Sequence, residues 1–337
     1  MGFSVVIPTH NRAEILNRCL SALAAQTNAG DYEVLVVDDG STDETHRVVT
    51  SLRKAYPVRL HYFYQPNRKQ GAARNLGVRQ AKGDWVLFLG DDIVPVSTLL
   101  AEHRNHHAKW CDDAFRSKTV VIGYTTWPEE ISTTRFLAYI GEQGWQFGFS
   151  LIEDPDRVPF NYFYTSNLSL SRRFFLEAGG FDEDFREYGW EDIELSLRLE
   201  KRGMRLVYAP EAKGFHHHPI DIASFVGRQV KVGSSAWNFY RKHPEMESFL
   251  SIDRIPEYRP LDRARMRLLT WLCRITETWR RPDLSRYYPD LMSYYYLQGL
   301  IAGRETEAGE GLGGPGGEGV APAARRPSRA SGMSKCP

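Results

Sequence analysis

Short apolar runs alternate with longer amphipathic segments along the first third of the chain. Four runs rich in β-branched and aromatic residues predict strands: FSVVIP (3–8), YEVLVVDD (32–39), VRLHYFYQ (58–65) and DWVLFLG (84–90). The segments that follow them have apolar residues at helical spacing: AEILNRCLSALAAQ, TDETHRVVTSLRKA, GAARNLGVRQAKG and VSTLLAEHRNHHA. This alternation predicts βαβ units, and therefore an α/β fold with a Rossmann-like, mostly parallel sheet flanked by helices.

Polar loops follow three of these predicted strands: PTHNR, DDGSTD and GDD. Ligands of open α/β sheets bind at the carboxyl ends of the strands, so the three loops are expected to line one crevice. Its carboxylates would repel a diphosphate unless a hard cation such as Mg²⁺ or Mn²⁺ lay between them. The sequence therefore predicts a metal–diphosphate site, and the alternative is that Asp and Asn only form turns and caps here.

Several classes of protein lack support in the sequence. No GxGxxG follows the first strand and no GxxxxGK[ST] occurs, so a Rossmann dehydrogenase or P-loop NTPase lacks its main signature. The net charge of +1 gives no reason to expect a nucleic-acid partner. The four cysteines form no CxxC pair, and no run approaches the roughly 20 apolar residues of a membrane span. We expect a cytoplasmic protein, either soluble or peripheral at the inner face of the membrane.

Five motifs carry a resemblance to a known family: VVIPTHNR, VVDDGSTD, GAARNLG, FLGDDI and GGFDEDFREYGWEDIELSLRL. In this order they resemble the inverting glycosyltransferases of family 2, which have the GT-A fold. The resemblance covers about residues 3–245, and implies a nucleotide-sugar half (1–125) and an acceptor half (126–245). It further implies a nucleotide diphospho-sugar donor, Mn²⁺ or Mg²⁺ as cofactor, and a saccharide, lipid-linked or peptide acceptor.

The resemblance also implies which residues meet the donor. Thr9 and Asp39 would lie against the nucleoside base, Asp91 nearer the ribose, and Asp92 on the metal. The other implied donor-site residues shape the base pocket or lie near the diphosphate: Pro8, Asn11, Arg12, Asp38, Gly71, Arg74 and Asn75. Gly90 stands where many relatives have a first Asp, which leaves two carboxylates and a need for another metal ligand.

A histidine run in the second half offers that ligand. RLVYAP (205–210) predicts a strand, and KGFHHHP follows as a loop. Imidazole binds Mn²⁺, so His216 is the first choice and His218 the second, because alternate residues of an extended segment face the same side. The alternative is a solvated loop. The doublet His106 and His107 is expected at an exposed helix end.

A catalytic base is expected at the start of the helix EDIELSLRLEKRG, which should end at Gly203. The resemblance favours Asp192 over Glu191 as the carboxylate that takes the proton of the acceptor hydroxyl. Asp192 as a plain helix cap is the alternative. Trp190 offers a flat apolar face to an acceptor sugar, although burial in the core is the commoner fate of Trp.

Three further helices are expected: one at the end of the acceptor half (221–245) and two after it (263–281 and 285–304). The second is basic and carries Leu268, Leu269, Trp271, Leu272 and Ile275. It can lie on an anionic membrane surface, pack on the catalytic domain, or pair with a second subunit in a homodimer. We expect a glycosyltransferase domain (1–245), a helical extension (246–304), and a disordered tail (305–337) rich in Gly, Ala and Pro.

The resulting prediction is a metal-dependent, inverting hexosyltransferase acting in glycan or cell-surface polysaccharide biosynthesis. No Gln-x-x-Arg-Trp element occurs, which favours one sugar added per encounter over processive synthesis. A sugar nucleotidyltransferase would need a Gly-rich, Lys-containing first loop, which PTHNRAEI lacks. A catalytically inactive sugar-nucleotide-binding relative would have lost the carboxylates that this chain retains.

Overall fold

A computed structural model describes residues 2–110, 117–131, 134–259, 262–279 and 282–311. The chain divides into two units, Met1–Asp221 and Ile222–Pro337. The helix that begins at Ile222 therefore groups with the C-terminal helices, whereas we expected the first domain to continue to residue 245.

Eight strands of the described chain form one sheet in the first unit, in the order β3-β2-β1-β4-β7-β6-β8-β5. They are β1 (Phe3–Thr9), β2 (Tyr32–Asp38), β3 (Arg59–Tyr64), β4 (Trp85–Leu89), β5 (Ile93–Pro95), β6 (Thr119–Thr126), β7 (Asn167–Ser171) and β8 (Arg205–His216). Pairing is parallel from β3 to β4 and between β6 and β8, while β7 and β5 run antiparallel to their neighbours. The predicted mostly parallel sheet is confirmed.

Seven helices lie in the described part of the first unit: α1 (Ala13–Ala24), α2 (Thr45–Arg53), α3 (Lys69–Gln80), α4 (Leu99–Lys109), α5 (Arg135–Glu142), α6 (Arg172–Glu177) and α7 (Glu191–Glu200). Two 3₁₀ turns, Phe149–Leu151 and Phe160–Tyr162, lie between α5 and β7. The central strands β1, β2 and β4 are buried almost throughout, which explains their continuous apolar sequences. Strand β3 lies at the edge and is only half-buried.

The register of the strands brings distant loops to one edge of the sheet. Thr9 pairs with Asp38, so β1 and β2 end side by side. After β4 the chain crosses to the far edge of the sheet, where Ile93 pairs with His216. The two acidic residues between β4 and β5 therefore lie beside the end of β8.

Two predictions about histidines are wrong. Strand β8 continues to His216, past a register shift opposite Gly123 and Tyr124, so His216 ends a strand and does not belong to a loop. His107 is buried: its Nε2 lies 2.8 Å from Ser169 Oγ, and its ring is 3.7 Å from that of Trp85. His106 is partly buried, 3.6 Å from Glu211.

The second unit contains three long helices: α8 (Ile222–Lys242), α9 (Arg263–Trp279) and α10 (Tyr288–Gly311). Short 3₁₀ turns connect them: Pro244–Met246, Ile252–Glu257 and Ser285–Tyr287. Gly233 and Gly299 let α8 and α10 meet backbone to backbone, since a Cβ on Gly299 would lie 2.0 Å from the Val230 carbonyl oxygen.

Helix α10 extends into the segment expected to be disordered, and residues 312–337 lie outside the described chain. No helix in the described ranges is long and apolar enough to cross a membrane.

A close approach between α3 and the sheet gives a test of this packing. A Cβ on Gly77 would lie 2.4 Å from Val6 Cγ1, and the stiff valine on the central strand has little room to move. We expect Gly77→Ala to lower the free energy of unfolding by about 1–3 kcal/mol, measured by chemical denaturation and circular dichroism. Gly227→Ala on α8, where no atom lies within 4 Å, is the control and should be neutral or slightly stabilising. Equal stability of the two variants would contradict the packing.

Candidate active site

Two adjacent carboxylates occupy the turn between β4 and β5. Asp91 Oδ2 accepts a hydrogen bond from Thr9 Oγ1 at 2.8 Å. Arg12 Nη1 lies 3.0 Å from Asp91 Oδ1 and 2.6 Å from Asp92 Oδ2, so one guanidinium bridges the pair. Both carboxylates are largely withdrawn from water, and each would be costly to bury without an opposite charge. The first turn of the chain therefore supplies the counter-charge for the acidic turn.

Gly90 gives this turn its shape. A Cβ at position 90 would lie 2.9 Å from Asp92 Oδ1 and 3.0 Å from Ile93 Cγ1. A larger residue here would have to displace the Asp92 carboxylate from its present position. The departure from the family pattern at Gly90 is thus linked to the placement of Asp92.

The two carboxyl groups differ in pKa. Burial, followed by the charge of Asp92, raises the pKa of Asp91 to about 6. Burial would raise the pKa of Asp92 as well, but hydrogen bonding to His216 and the charges of His216, Arg12 and His218 hold that pKa below its usual range. Asp92 therefore remains ionised at neutral pH, which is the form that binds a cation.

The predicted metal ligands are partly assembled. His216 Nε2 lies 3.4 Å from Asp92 Oδ2, and the His216 and His218 rings are 5.8 Å apart. The other His216 ring nitrogen, Nδ1, is buried and has no hydrogen-bond partner in the described residues. Within those residues no group of three or more His, Cys, Asp or Glu side chains is arranged to hold a metal. One carboxylate and one imidazole fit a divalent cation whose other ligands come from elsewhere.

The loops after β1 and β2 are tied to each other. Asn11 has a left-handed backbone (φ 52°), and its side-chain oxygen accepts from the Thr42 amide at 2.7 Å. The Asn11 amide donates to Ser41 Oγ, while the Ser41 amide donates to Asp38 Oδ1. Pro8, one residue before the end of β1, pairs with Val37. These contacts set the wall of the crevice that contains Arg12.

Asp38 and Asp39 are buried and already hydrogen-bonded. Asp38 accepts from Tyr62 Oη at 2.6 Å, and Asp39 accepts from Gln65 Nε2 at 2.7 Å. Asp39 also accepts from the backbone amides of Arg68 and Lys69 at 2.8 Å each. Asp39 therefore fixes the start of α3. The sequence pointed to these residues but not to this internal role, and their contact with a nucleoside base stays a prediction.

Helix α3 reaches the loop that leads into α7. Arg74 Nη1 lies 3.2 Å from Glu191 Oε1. The Asn75 side chain donates to the Phe181 carbonyl at 2.8 Å and accepts from the Phe181 amide at 2.9 Å. Gly71 keeps α3 close to Phe181, whose Cβ would lie 3.4 Å from an added Cβ. The structure thus brings Arg74 and Asn75 to the start of α7 and the loop before it, a connection that the sequence did not reveal.

Glu191 and Asp192 begin α7 as predicted. Glu191 Oε1 is held by Gln70 and Arg74, while Oε2 is buried and has no partner among the described residues. Asp192 is partly exposed, and its Oδ1 accepts from the Ile193 amide at 3.0 Å. Burial, followed by the charge of Glu191, raises the pKa of Asp192 to about 7. Of the two side chains, that of Asp192 is the less buried.

Trp190 precedes α7 in a left-handed conformation (φ 72°), next to Gly189 at φ 95°. This conformation costs a residue with a Cβ on the order of 1–2 kcal/mol and is typical of functional turns. The Trp190 residue is only 8% exposed, so most of its ring packs against protein. Its burial favours the alternative reading of Trp190 as a core residue, and contact with an acceptor stays a prediction.

An aromatic cluster that the sequence did not single out lies between His216 and Asp192. The Phe147 ring is 5.5 Å from that of His216 and 6.1 Å from that of Tyr164. Burial, and then the charges of Tyr162 and Asp192, raise the pKa of Tyr164. Phe147 also has a left-handed backbone (φ 68°). Phe147 thus connects the ring of His216 with that of Tyr164.

A cavity of about 580 Å³ opens beside Arg12. It is polar on several sides and lies over the N-terminal half of α1. The lining residues are Asn11, Arg12, Ala13, Glu14, Ile15, Arg18, Asp43, Glu130, Ile131, His217 and Pro219.

Two family models match the chain. The model described as "Glycosyl transferase family 2" matches residues 4–177, and that described as "N-terminal domain of galactosyltransferase" matches residues 155–219. Validoxylamine A glucosyltransferase of Streptomyces hygroscopicus subsp. jinggangensis (strain 5008) is 33% identical over 80% of this chain and 68% of its own length. Chondroitin synthase of Escherichia coli is 30% identical over 76% of this chain, which spans only 41% of that protein.

Solved structures support the fold. Staphylococcus aureus TarS 1–349 in complex with UDP has a TM-score of 0.53 at 17% identity, covering 93% of this chain and 92% of that one. Mannosyltransferase PcManGT from Pyrobaculum calidifontis, in complex with GDP-Man and Mn²⁺, has a TM-score of 0.57 at 18% identity, covering 91% and 87%. At these identities the likeness concerns the fold alone, which is that of GT-A glycosyltransferases.

The contacts of Asn75 predict that this residue holds the loop before α7. In Asn75→Asp the donor to Phe181 is lost and a charge is placed near Glu183, which we expect to lower the free energy of unfolding by about 1–3 kcal/mol. Hydrogen exchange followed by mass spectrometry should show faster exchange over residues 179–190. Asn17→Asp, at an exposed position of α1, is the control. Unchanged exchange of this loop in Asn75→Asp would contradict the assignment.

Proposed function

The chain belongs to glycosyltransferase family 2, and on that basis we propose that it moves a sugar from a nucleotide diphospho-sugar to a hydroxyl acceptor with inversion at the anomeric carbon. The observation that carries the proposal is the cluster of Asp91, Asp92, Arg12 and His216 at the carboxyl edge of the sheet. Ligands of such sheets bind at this edge. The site is polar, charged and only partly closed, as a diphosphate requires.

Asp92 and His216 are the residues that would hold Mn²⁺ or Mg²⁺, with His218 as the second imidazole. A bound cation would neutralise the charge that develops on the leaving diphosphate. A small set of protein ligands suits this role, because Mg²⁺ is commonly bound by one or two carboxylates together with substrate phosphates. Arg12 contacts the same carboxylates at 3.0 and 2.6 Å, so cation affinity should depend on the residue at position 12.

The remaining donor contacts follow the loops of this edge. Thr9 and Asp39 are proposed to meet the base, Asp91 the ribose, and Asn11 and Asp38 to shape the pocket. Thr9 and Asp91 are hydrogen-bonded to each other, and Asp39 anchors α3, so a nucleotide would bind to groups that are already fixed. Fixed groups lose little conformational freedom on binding, which favours affinity.

Asp192 is the proposed base. Its carboxylate would take the proton of the acceptor hydroxyl as the hydroxyl oxygen attacks the anomeric carbon from the side opposite the diphosphate. Glu191 is held by Arg74 and Gln70, and so serves to position α3 against α7. The raised pKa of Asp192 lets it accept a proton near neutral pH.

The acceptor is proposed to be a saccharide hydroxyl, free or lipid-linked, in the biosynthesis of a glycan. The names of two relatives, a glucosyltransferase and a chondroitin synthase, support a sugar-bearing acceptor. We further propose that one sugar is added per encounter, which the missing Gln-x-x-Arg-Trp element favours. The nucleotidyltransferase alternative has no support from the family models.

A nucleotide panel tests the donor half. We expect one of UDP, GDP, dTDP or CDP to raise the melting temperature only when Mn²⁺ is present, since a ligand at 100 times its Kd stabilises the native state by about 2.7 kcal/mol. Asp92→Ala and His216→Ala should lose this Mn²⁺-dependent increment in a thermal-shift assay. His106→Ala, whose side chain contacts Glu211 and not the acidic turn, should retain it. The absence of any shift, or an increment that survives Asp92→Ala, would argue against the site.

The base assignment predicts a separation of binding from catalysis. Asp192→Asn should lower kcat by about 10²- to 10⁴-fold while nucleotide binding is unchanged, measured as release of nucleoside diphosphate in the presence of saccharide acceptors. In the unmodified protein, kcat/KM should rise with pH through about 7, because Asp192 of the free protein must lose its proton to act as a base. Glu200→Gln at the end of α7 is the control. Full activity of Asp192→Asn would exclude Asp192 as the base.

A further inference from the structure

Helix α9 exposes three large apolar side chains on one face. Leu268 and Trp271 are 56% and 55% exposed, and Leu272 is 37% exposed. The buried side of the same helix carries smaller residues, Thr270, Cys273 and Thr276. Large apolar side chains normally occupy the buried side of a surface helix, so this arrangement indicates that another surface covers the exposed face of α9.

Arginines flank this apolar stripe. On a helical wheel Leu268, Trp271 and Leu272 lie together, with Arg265 on one side and Arg267 and Arg274 on the other, all three exposed. The segment Arg263–Trp279 contains four arginines and one acidic residue. That residue, Glu277, accepts a hydrogen bond from Tyr288 on α10, so it is directed into the second unit. The exposed face of α9, comprising these three apolar residues and three arginines, is therefore apolar in the middle and positive on both flanks.

The charge of this face selects among the surfaces that could cover it. A second copy of α9 would bring arginines against arginines with no exposed acidic partner on the helix. The segment 312–337 of this chain has four basic residues and one acidic residue, so it does not complement the face either. A surface with negative charges above an apolar interior complements both parts.

We propose that the exposed face of α9 binds the surface of an anionic lipid bilayer. Leu268, Trp271 and Leu272 enter the boundary between headgroups and acyl chains, and Arg265, Arg267 and Arg274 contact headgroup phosphates. The helix lies along the bilayer with its apolar residues toward the acyl chains and its arginines at the headgroups. This inference rests on the second unit alone and does not depend on the proposed sugar transfer.

Sedimentation with lipid vesicles tests the proposal on the full chain. The protein should bind vesicles that contain about 30% phosphatidylglycerol and not vesicles of phosphatidylcholine alone. Raising the salt concentration from about 0.05 to 0.5 M should weaken binding, because salt screens the arginines. Equal binding to both kinds of vesicle, or none to the anionic kind, would overturn the proposal.

Variants at exposed positions separate the two parts of the face. Leu268→Ser with Trp271→Ser and Leu272→Ser should lower vesicle affinity at least about tenfold, by removing the apolar contact. Arg265→Gln with Arg267→Gln should lower it about 25-fold, at roughly fivefold for each charge. The matched control replaces three other exposed apolar residues with Ser: Tyr64, Leu151 and Leu176.

Two results would give the face another role. If the triple α9 variant binds anionic vesicles as tightly as the unmodified protein does, binding arises only from attraction between basic residues and the anionic surface. The proposal that the apolar residues of α9 enter the bilayer is then wrong. If sedimentation equilibrium shows a dimer that the same variant dissociates, a second copy covers the face. Circular dichroism of each variant confirms that the loss arises at the surface and not from unfolding.

Discussion

Two like charges side by side in a poorly hydrated turn are the constraint on which the site depends. Asp91 and Asp92 repel each other, and the chain offsets this with Arg12 from the first turn and His216 from the end of the last long strand. For those groups to meet, β1 must end beside the turn, and β5 must pair with β8. Both conditions are met because the chain crosses from β4 to the far edge of the sheet. The absence of a side chain at Gly90 leaves space for the Asp92 carboxylate.

Helix α3 connects the two halves of the site. Asp39 accepts hydrogen bonds from the backbone at its start, Arg74 holds Glu191, and Asn75 holds the loop before α7. Helix α3 therefore contacts both the loop after β2 and the carboxylate of Glu191 at the start of α7. The Phe147 ring packs against those of His216 and Tyr164, so the metal-side histidine is also supported by aromatic contacts.

The sequence predicted the four parallel strands and the start of α7 well, since these depend on local periodicity and on motifs with fixed spacing. It could not predict that His107 is buried, because its partner Ser169 is 62 residues away and a histidine at a helix end looks exposed. The predicted strand at 205–210 was too short, because the polar residues after Pro210 give no sign that β8 continues to His216 and pairs there with β5 and β6. The aromatic cluster carries no motif, and Asp39, although part of a motif, accepts hydrogen bonds from residues 26 to 30 positions away in the sequence.

The central claim is that the acidic turn binds a diphosphate through a divalent cation. Calorimetric titration of the unmodified protein with a nucleoside diphosphate and the matching monophosphate, each with and without Mn²⁺, tests this directly. The account predicts that Mn²⁺ strengthens binding of the diphosphate at least about tenfold and leaves the monophosphate nearly unchanged, because the cation needs both a protein carboxylate and the diphosphate oxygens. Equal affinity of the diphosphate with and without Mn²⁺ would contradict it.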